Sequence, residues 1–282
     1  MRDSTPELDA LLASKQALIA SLFTISLAND DVLTLTSAPD FNVTWLGNTY
    51  NRDYVIEHGD ITSAVGVAVD EIDVTLYVRP DDRIYGMPVP KFVHNKGFDG
   101  ARILIERAFM SEPGIPVGVV HLFEGAISEP EPSRMVITMK ASSDLITLNQ
   151  MVPRHTITPG CSNVLFDDLC SLDRLDWTHA GTALAGSTRN GIVSDLVQAD
   201  GYFTQGTVRC LTGNNAGAKR TVKRHVSGQL VPAYPFYYPF TVGDEIEAVA
   251  GCNRLRVTCR DKFNNEANIR IFEKVPTPVT SA

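Results

Sequence analysis

The chain is 282 residues long, enough for one large or two ordinary domains, and its 44% apolar and 21% charged content excludes wholesale disorder. A formal net charge of −8 argues against a dedicated nucleic-acid binder, because phosphate neutralisation needs clustered Lys and Arg. The opening MRDSTPELD has no apolar h-region, and no stretch approaches the ~20 apolar residues that span a bilayer, so neither a secretory signal nor stable membrane insertion is expected.

In chain order, the first predicted element is a helix. Ser4 and Glu7 have capping-box spacing, and Pro6 falls in the first turn, where its missing N–H costs nothing. LDALLASKQALIASLF (8–23) follows, with Leu8, Leu11, Leu12, Leu18, Ile19 and Leu22 on a stripe opposite Lys15 and Gln16. From Phe23 the pattern changes to short strands such as DVLTLTSAPD, ARILIERAFM, VGVVHLFEGAIS and RMVITMKASS, punctuated by turns at Asn29-Asp30, Gly47-Asn48 and Pro80-Asp81. No strand-plus-crossover-helix rhythm occurs, which disfavours parallel βαβ units. The expected fold class is mainly β: antiparallel sandwich or barrel domains, a short N-terminal helix and a cysteine-clustered C-terminal domain. EPEPSR (129–134) reads as a hairpin loop, and MVPRHTITPG (151–160) as the boundary between domains 1–152 and 153–282.

Chemistry concentrates in the second half. Five cysteines in a protein expected to mature in a reducing cytosol do not suggest a disulfide framework. Four of them form two pairs, Cys161 with Cys170 and Cys252 with Cys259, separated by eight and six intervening residues. Four converging thiolates suit zinc or an iron–sulfur cluster, yet these intervals match neither zinc-ribbon knuckles nor the usual ferredoxin run. Spacing alone leaves a metal site and buried inert thiols both open. Pro159-Gly160 and Gly251 place tight turns before Cys161 and Cys252, where backbone N–H groups can point at sulfur. His155 is an alternative ligand, and Cys210 in GTVRCLTG reads as an ordinary buried strand thiol.

The remaining candidates have plainer readings. KRTVKRH (219–225) carries charge on both faces of a strand, YPFYYPF (234–240) is a packed aromatic loop, GNNAG is a turn, and Asp167-Asp168 is a solvated carboxylate pair. No Gly-x-Ser-x-Gly elbow or HExxH pair is present. A competing enzyme class, a cell-wall hydrolase or thiol peptidase, would need Cys210 and His225 as its pair.

GC followed by LFDDLC, then TGNNAG and VGDEIEAVAGCNRLRVTCRDKFNNEANIRIF, resembles a family of phage tail-tip proteins, the baseplate hub proteins of long-tailed phages and gene transfer agents. Cys161, Cys170, Gly243-Asp244, Gly251-Cys252, Cys259, Phe263-Asn264-Asn265 and Asn268 meet the family pattern, and LFTISLAND and FDGARILIERAF resemble it more diffusely. ANIRIFEKVP departs from the Phe-Arg-Gly and proline with which members often continue. The resemblance implies a non-enzymatic virion protein assembled in the host cytoplasm. It implies a homotrimeric ring joining a distal tail protein to a central fibre or tail-tip protein, with DNA only passing through the lumen. It also implies an iron–sulfur cluster (4Fe–4S, with zinc as the alternative), as in the related tail-tip protein of lambdoid phages. Cys161, Cys170, Cys252 and Cys259 would be its ligands, with Asn264, Asn265 and Asn268 holding the loop around the sulfur atoms.

Overall fold

Alternation of buried and exposed side chains organises the first half of the chain. The computed structural model describes residues 5–61, 70–133, 135–149, 157–272 and 274, and the chain divides into two units, Met1–Gln150 and Met151–Ala282. In unit 1 the main strands are β1 (Leu18–Ser26), β2 (Val32–Thr36), β5 (Val55–His58), β6 (Glu71–Tyr77), β9 (Arg102–Glu112), β10 (Ile115–Pro132) and β11 (Val136–Ser142). They form one antiparallel sheet in the order β2-β1-β9-β10-β11-β6-β5, curled into a half-barrel. Two small hairpins, β3 (Val43–Trp45) with β4 (Asn48–Tyr50) and β7 (Arg83–Ile84) with β8 (Met87–Pro88), and helix α2 (Val89–His94) cover it.

Both faces of this sheet are buried. Phe23, Ile25, Ile103 and Ile105 join Val74, Leu76 and Phe98 in the larger core. The intervening Ala20, Leu22, Ala108 and Met110 face the other way, against Val43 and Tyr50 of the first hairpin. A fully buried Phe or Ile stabilises by about 1.5–3 kcal/mol, so a strand contributing to both cores is strongly held.

That double burial corrects the predicted first helix. α1 runs only over Pro6–Ser14, and Leu8 is its buried residue, packed over Gly118. Thr5 caps it, its hydroxyl accepting the Leu8 N–H at 3.3 Å, whereas the expected cap, Ser4, lies outside the described residues. Lys15 ends the helix at φ 56°, and Leu18 to Phe23 enter β1. A helix would bury one stripe of ALIASLF; a strand between β2 and β9 buries both faces and pairs its backbone on both sides. EPEPSR is likewise shorter as a loop than expected. β10 continues through Pro132 after a register shift between Ser128 and Glu131, and the hairpin closes where the Ser133 N–H donates to the Val136 carbonyl at 2.7 Å.

Unit 2 contains β12 (Thr178–Thr182), β13 (Ile192–Val193), β14 (Thr207–Cys210), β15 (Lys219–Val226), β16 (Gln229–Pro232) and β17 (Glu245–Val249), in the order β12-β17-β14-β15-β16-β13. Its core is built from Phe203, Val208, Val222, Leu230, Phe236 and Ile246, among others. One pairing positions the cysteines. β12 is antiparallel to β17 with Thr178 opposite Val249, so the chain entering β12 and the chain leaving β17 lie at the same end of the sheet.

Candidate metal centre

Two segments meet at that end. The Cys161 N–H donates to the Arg254 carbonyl at 2.8 Å, and the Ser162 N–H to the Arg270 carbonyl at 3.0 Å. Residues before β12 are thus tied to residues after β17 by backbone bonds. Asp167 shapes the first segment: one carboxylate oxygen accepts the Val164 N–H at 2.9 Å and the other the Cys170 N–H at 2.6 Å. The loop turns through Phe166 at φ 69°, which presents Cys170 beside Cys161. Asp167 is therefore a loop organiser and not the solvated carboxylate expected from its sequence.

The second segment leaves β17 through Ala250 and Gly251. A Cβ on Gly251 would lie 1.9 Å from the Thr204 carbonyl oxygen, and one on Gly206 would lie 2.1 Å from the Val249 carbonyl oxygen. Two backbones cross here without room for side chains, which fixes where Cys252 begins its turn. Helix α3 (Arg256–Asp261) then carries Cys259. Asn264 follows at φ 47°, and a single 3-10 turn (Glu266–Asn268) closes the segment.

Together these elements bring Cys161, Cys170, Cys252 and Cys259 to the wall of one cavity of about 210 Å³. All are partly buried free thiols. N–H groups point at three of the sulfurs: Arg254 N–H at Cys252 Sγ (3.3 Å), Arg270 N–H at Cys161 Sγ (3.4 Å) and Asn265 Nδ2 at Cys170 Sγ (3.7 Å). Asn265 also donates to the Cys170 carbonyl at 2.6 Å and accepts from Asn268 Nδ2 at 2.7 Å, while Asn163 Nδ2 donates to the Asn268 carbonyl at 2.9 Å. The Cys259 thiol donates to the Asn265 carbonyl at 3.2 Å. Among the described residues no three His, Cys, Asp or Glu side chains converge closely enough to hold a metal ion.

The thiols nonetheless feel one another electrostatically. Burial pushes the Cys252 thiol up, the Arg254 N–H pulls it down, and Cys161 and Cys170 push it up again. Burial likewise raises Cys259, with Cys252, Cys161 and Cys170 adding repulsion. Four thiolates here repel one another unless a cationic centre lies between them, and a bound metal inverts this preference.

The other sequence candidates stand apart from the cavity. Cys210 is buried in β14, and burial pushes its thiol up to about 12. His225 is buried on β15 with its ring against Phe203 at 4.9 Å. His155 lies outside the described residues. In KRTVKRH, Arg220 and His225 point inward while Lys219, Lys223 and Arg224 point out. Phe236 and Phe240 of the aromatic loop pack into the core of unit 2. Sequence reasoning missed Asp167, Asn163 and Lys262. An Asp three residues before a cysteine is a readable turn signal, whereas nothing local marks the other two.

Residues 5–173 match the family described as baseplate hub protein, N-terminal attachment domain, and residues 201–278 match the phage conserved hypothetical protein BR0599. The first match contains Cys161 and Cys170, the second Cys252 and Cys259. A search of curated proteins finds no relative. A chain in the solved virion of a native gene transfer agent particle has the same fold, with a TM-score of 0.71 at 19% identity over 99% of this chain and 97% of that one.

Proposed function

Since this chain belongs to the baseplate hub proteins, we propose that it forms a ring at the distal end of a phage-type tail and that an iron–sulfur cluster on Cys161, Cys170, Cys252 and Cys259 closes its second unit. It is a structural component of the virion tail, and among its described residues no helix is long and apolar enough to cross a membrane. The observation that carries the cluster is the convergence of two distant cysteine pairs on one cavity of about 210 Å³. The N–H donors on three sulfurs suit metal-bound thiolates, and the thiolates of iron–sulfur clusters are commonly hydrogen-bonded in this way.

When bound, the group supplies a cross-link between the segment before β12 and the segment after β17, closing a loop of about ninety residues. The chain's own residues do the rest: Asp167 sets Cys170, the Gly206–Gly251 crossing sets Cys252, and Asn265 ties the two segments together. The reading includes no catalytic step. Cys210, the thiol a peptidase would use, is buried and held protonated. A homotrimeric ring between a distal tail protein and a central fibre, with DNA passing an acidic lumen, accords with the net charge of −8 and the hub family.

Anaerobic purification tests the centre directly. Visible charge-transfer absorption with matching iron and acid-labile sulfide is expected. A colourless protein with one zinc per chain would sink the cluster, and a fully stable metal-free protein would sink both metals.

A further inference from the structure

A half-buried ammonium, that of Lys262, stands beside the turn that leads into Cys252. Lys262 Nζ donates to the carbonyl of Tyr202 at 2.5 Å and to that of Gly251 at 2.7 Å. It lies 4.2 Å from the centroid of the Tyr202 ring and 4.9 Å from that of Phe263. Phe263 itself lines the thiol cavity and packs on Trp177 at 4.6 Å between ring centroids. Even partial burial of an ammonium carries a desolvation cost, and an aliphatic chain of the same length would pack between the two rings without it. The charge therefore has a use that packing does not explain.

Its bonds indicate the use. Gly251 precedes Cys252, so the bond to its carbonyl fixes the peptide plane from which Cys252 departs. The Tyr202 carbonyl also accepts the Gly251 N–H at 3.1 Å, which joins the loop before β14, the Cys252 turn and the end of the Cys259 helix at one point. We propose that Lys262 is a positioning residue for the four-thiolate centre, holding the Cys252 turn in place and setting a positive charge beside an anionic cluster. This rests on the cluster reading above. A cation there favours the reduced, more negative state of the group and opposes opening of the cradle.

The test uses full-length protein reconstituted anaerobically, as native, Lys262→Met and Lys262→Arg. Iron release to a chelator, the midpoint potential and circular dichroism are read together. Lys262→Met is expected to keep the native strand spectrum while releasing iron about tenfold faster. Its reduction equilibrium should weaken about tenfold, which is about 59 mV lower for a one-electron couple. Lys262→Arg, which keeps the charge, should hold the potential near the native value. A loaded Lys262→Met protein with native release and native potential overturns the role of Lys262 alone. Native protein that takes up no iron and sulfide overturns the cluster reading and this proposal with it. If Lys262→Met does not fold, the arginine variant decides: a potential lowered as for loss of charge overturns the proposal.

Discussion

Gly251 shows how much of the centre depends on single atoms. A methyl group there would meet the Thr204 carbonyl oxygen at 1.9 Å and the Gly206 nitrogen at 2.4 Å, both backbone atoms that cannot swing aside. Gly251→Ala is therefore expected to destabilise unit 2 by about 1–3 kcal/mol or more, with the urea midpoint as the readout. An alanine variant with the native midpoint would mean that the crossing strands can part. The Gly-Cys dipeptide was legible in the sequence as a turn before a thiol. The reason the glycine is required was not, because Thr204 lies in another strand connection. Asp167 is the converse case: its partners, Val164 and Cys170, are each three residues away, and that spacing can be read directly.

β15 gives the clearest pH dependence at the scale of an element. His225 points into unit 2 from this strand, and burial lowers its pKa below the ordinary 6.5, with Lys262 acting in the same direction and the charge of Asp200 opposing. The fold thus holds the imidazole neutral, while an unfolded chain takes up a proton as pH falls through about 6.5. The resulting stability is complete above that pH and is lost as pH falls below it. Urea midpoints measured between about pH 8 and about pH 5 should decline in the native protein. The decline should be smaller in His225→Phe, which keeps an aromatic ring against Phe203; an equal decline in both would remove His225 as the cause. The alternation of KRTVKRHV made the strand and its two-sided charge readable. The end of α1 was not readable, since LDALLASKQALIASLF satisfies a helical stripe and a strand alike until the second core claims Leu22.

For the whole molecule, the division into Met1–Gln150 and Met151–Ala282 separates the hub-type sheet from the cysteine centre. All four clustered thiols belong to the second unit, so their loss should leave the first untouched. Scanning calorimetry is expected to show two transitions, and on the cluster proposal iron chelation should lower the transition of the second unit, by roughly 10 °C. A single transition, or two that move together, would contradict independent units.

Alternating apolar residues and the absence of crossover helices were enough to indicate a mainly β chain, whereas the spacing of the four cysteines left a metal site and inert thiols both open. These are local patterns, set by strand period and turn chemistry within a few residues of chain. Which thiols share a cavity was not of that kind. Cys161 and Cys252 are about ninety residues apart, and no local signal spans that distance. They meet because β12 and β17 are antiparallel neighbours, with Thr178 facing Val249, and because Gly206 and Gly251 let two backbones touch. Lys262 enters the same place only through those contacts, since a lysine's role depends on which carbonyls the fold brings within reach of its ammonium.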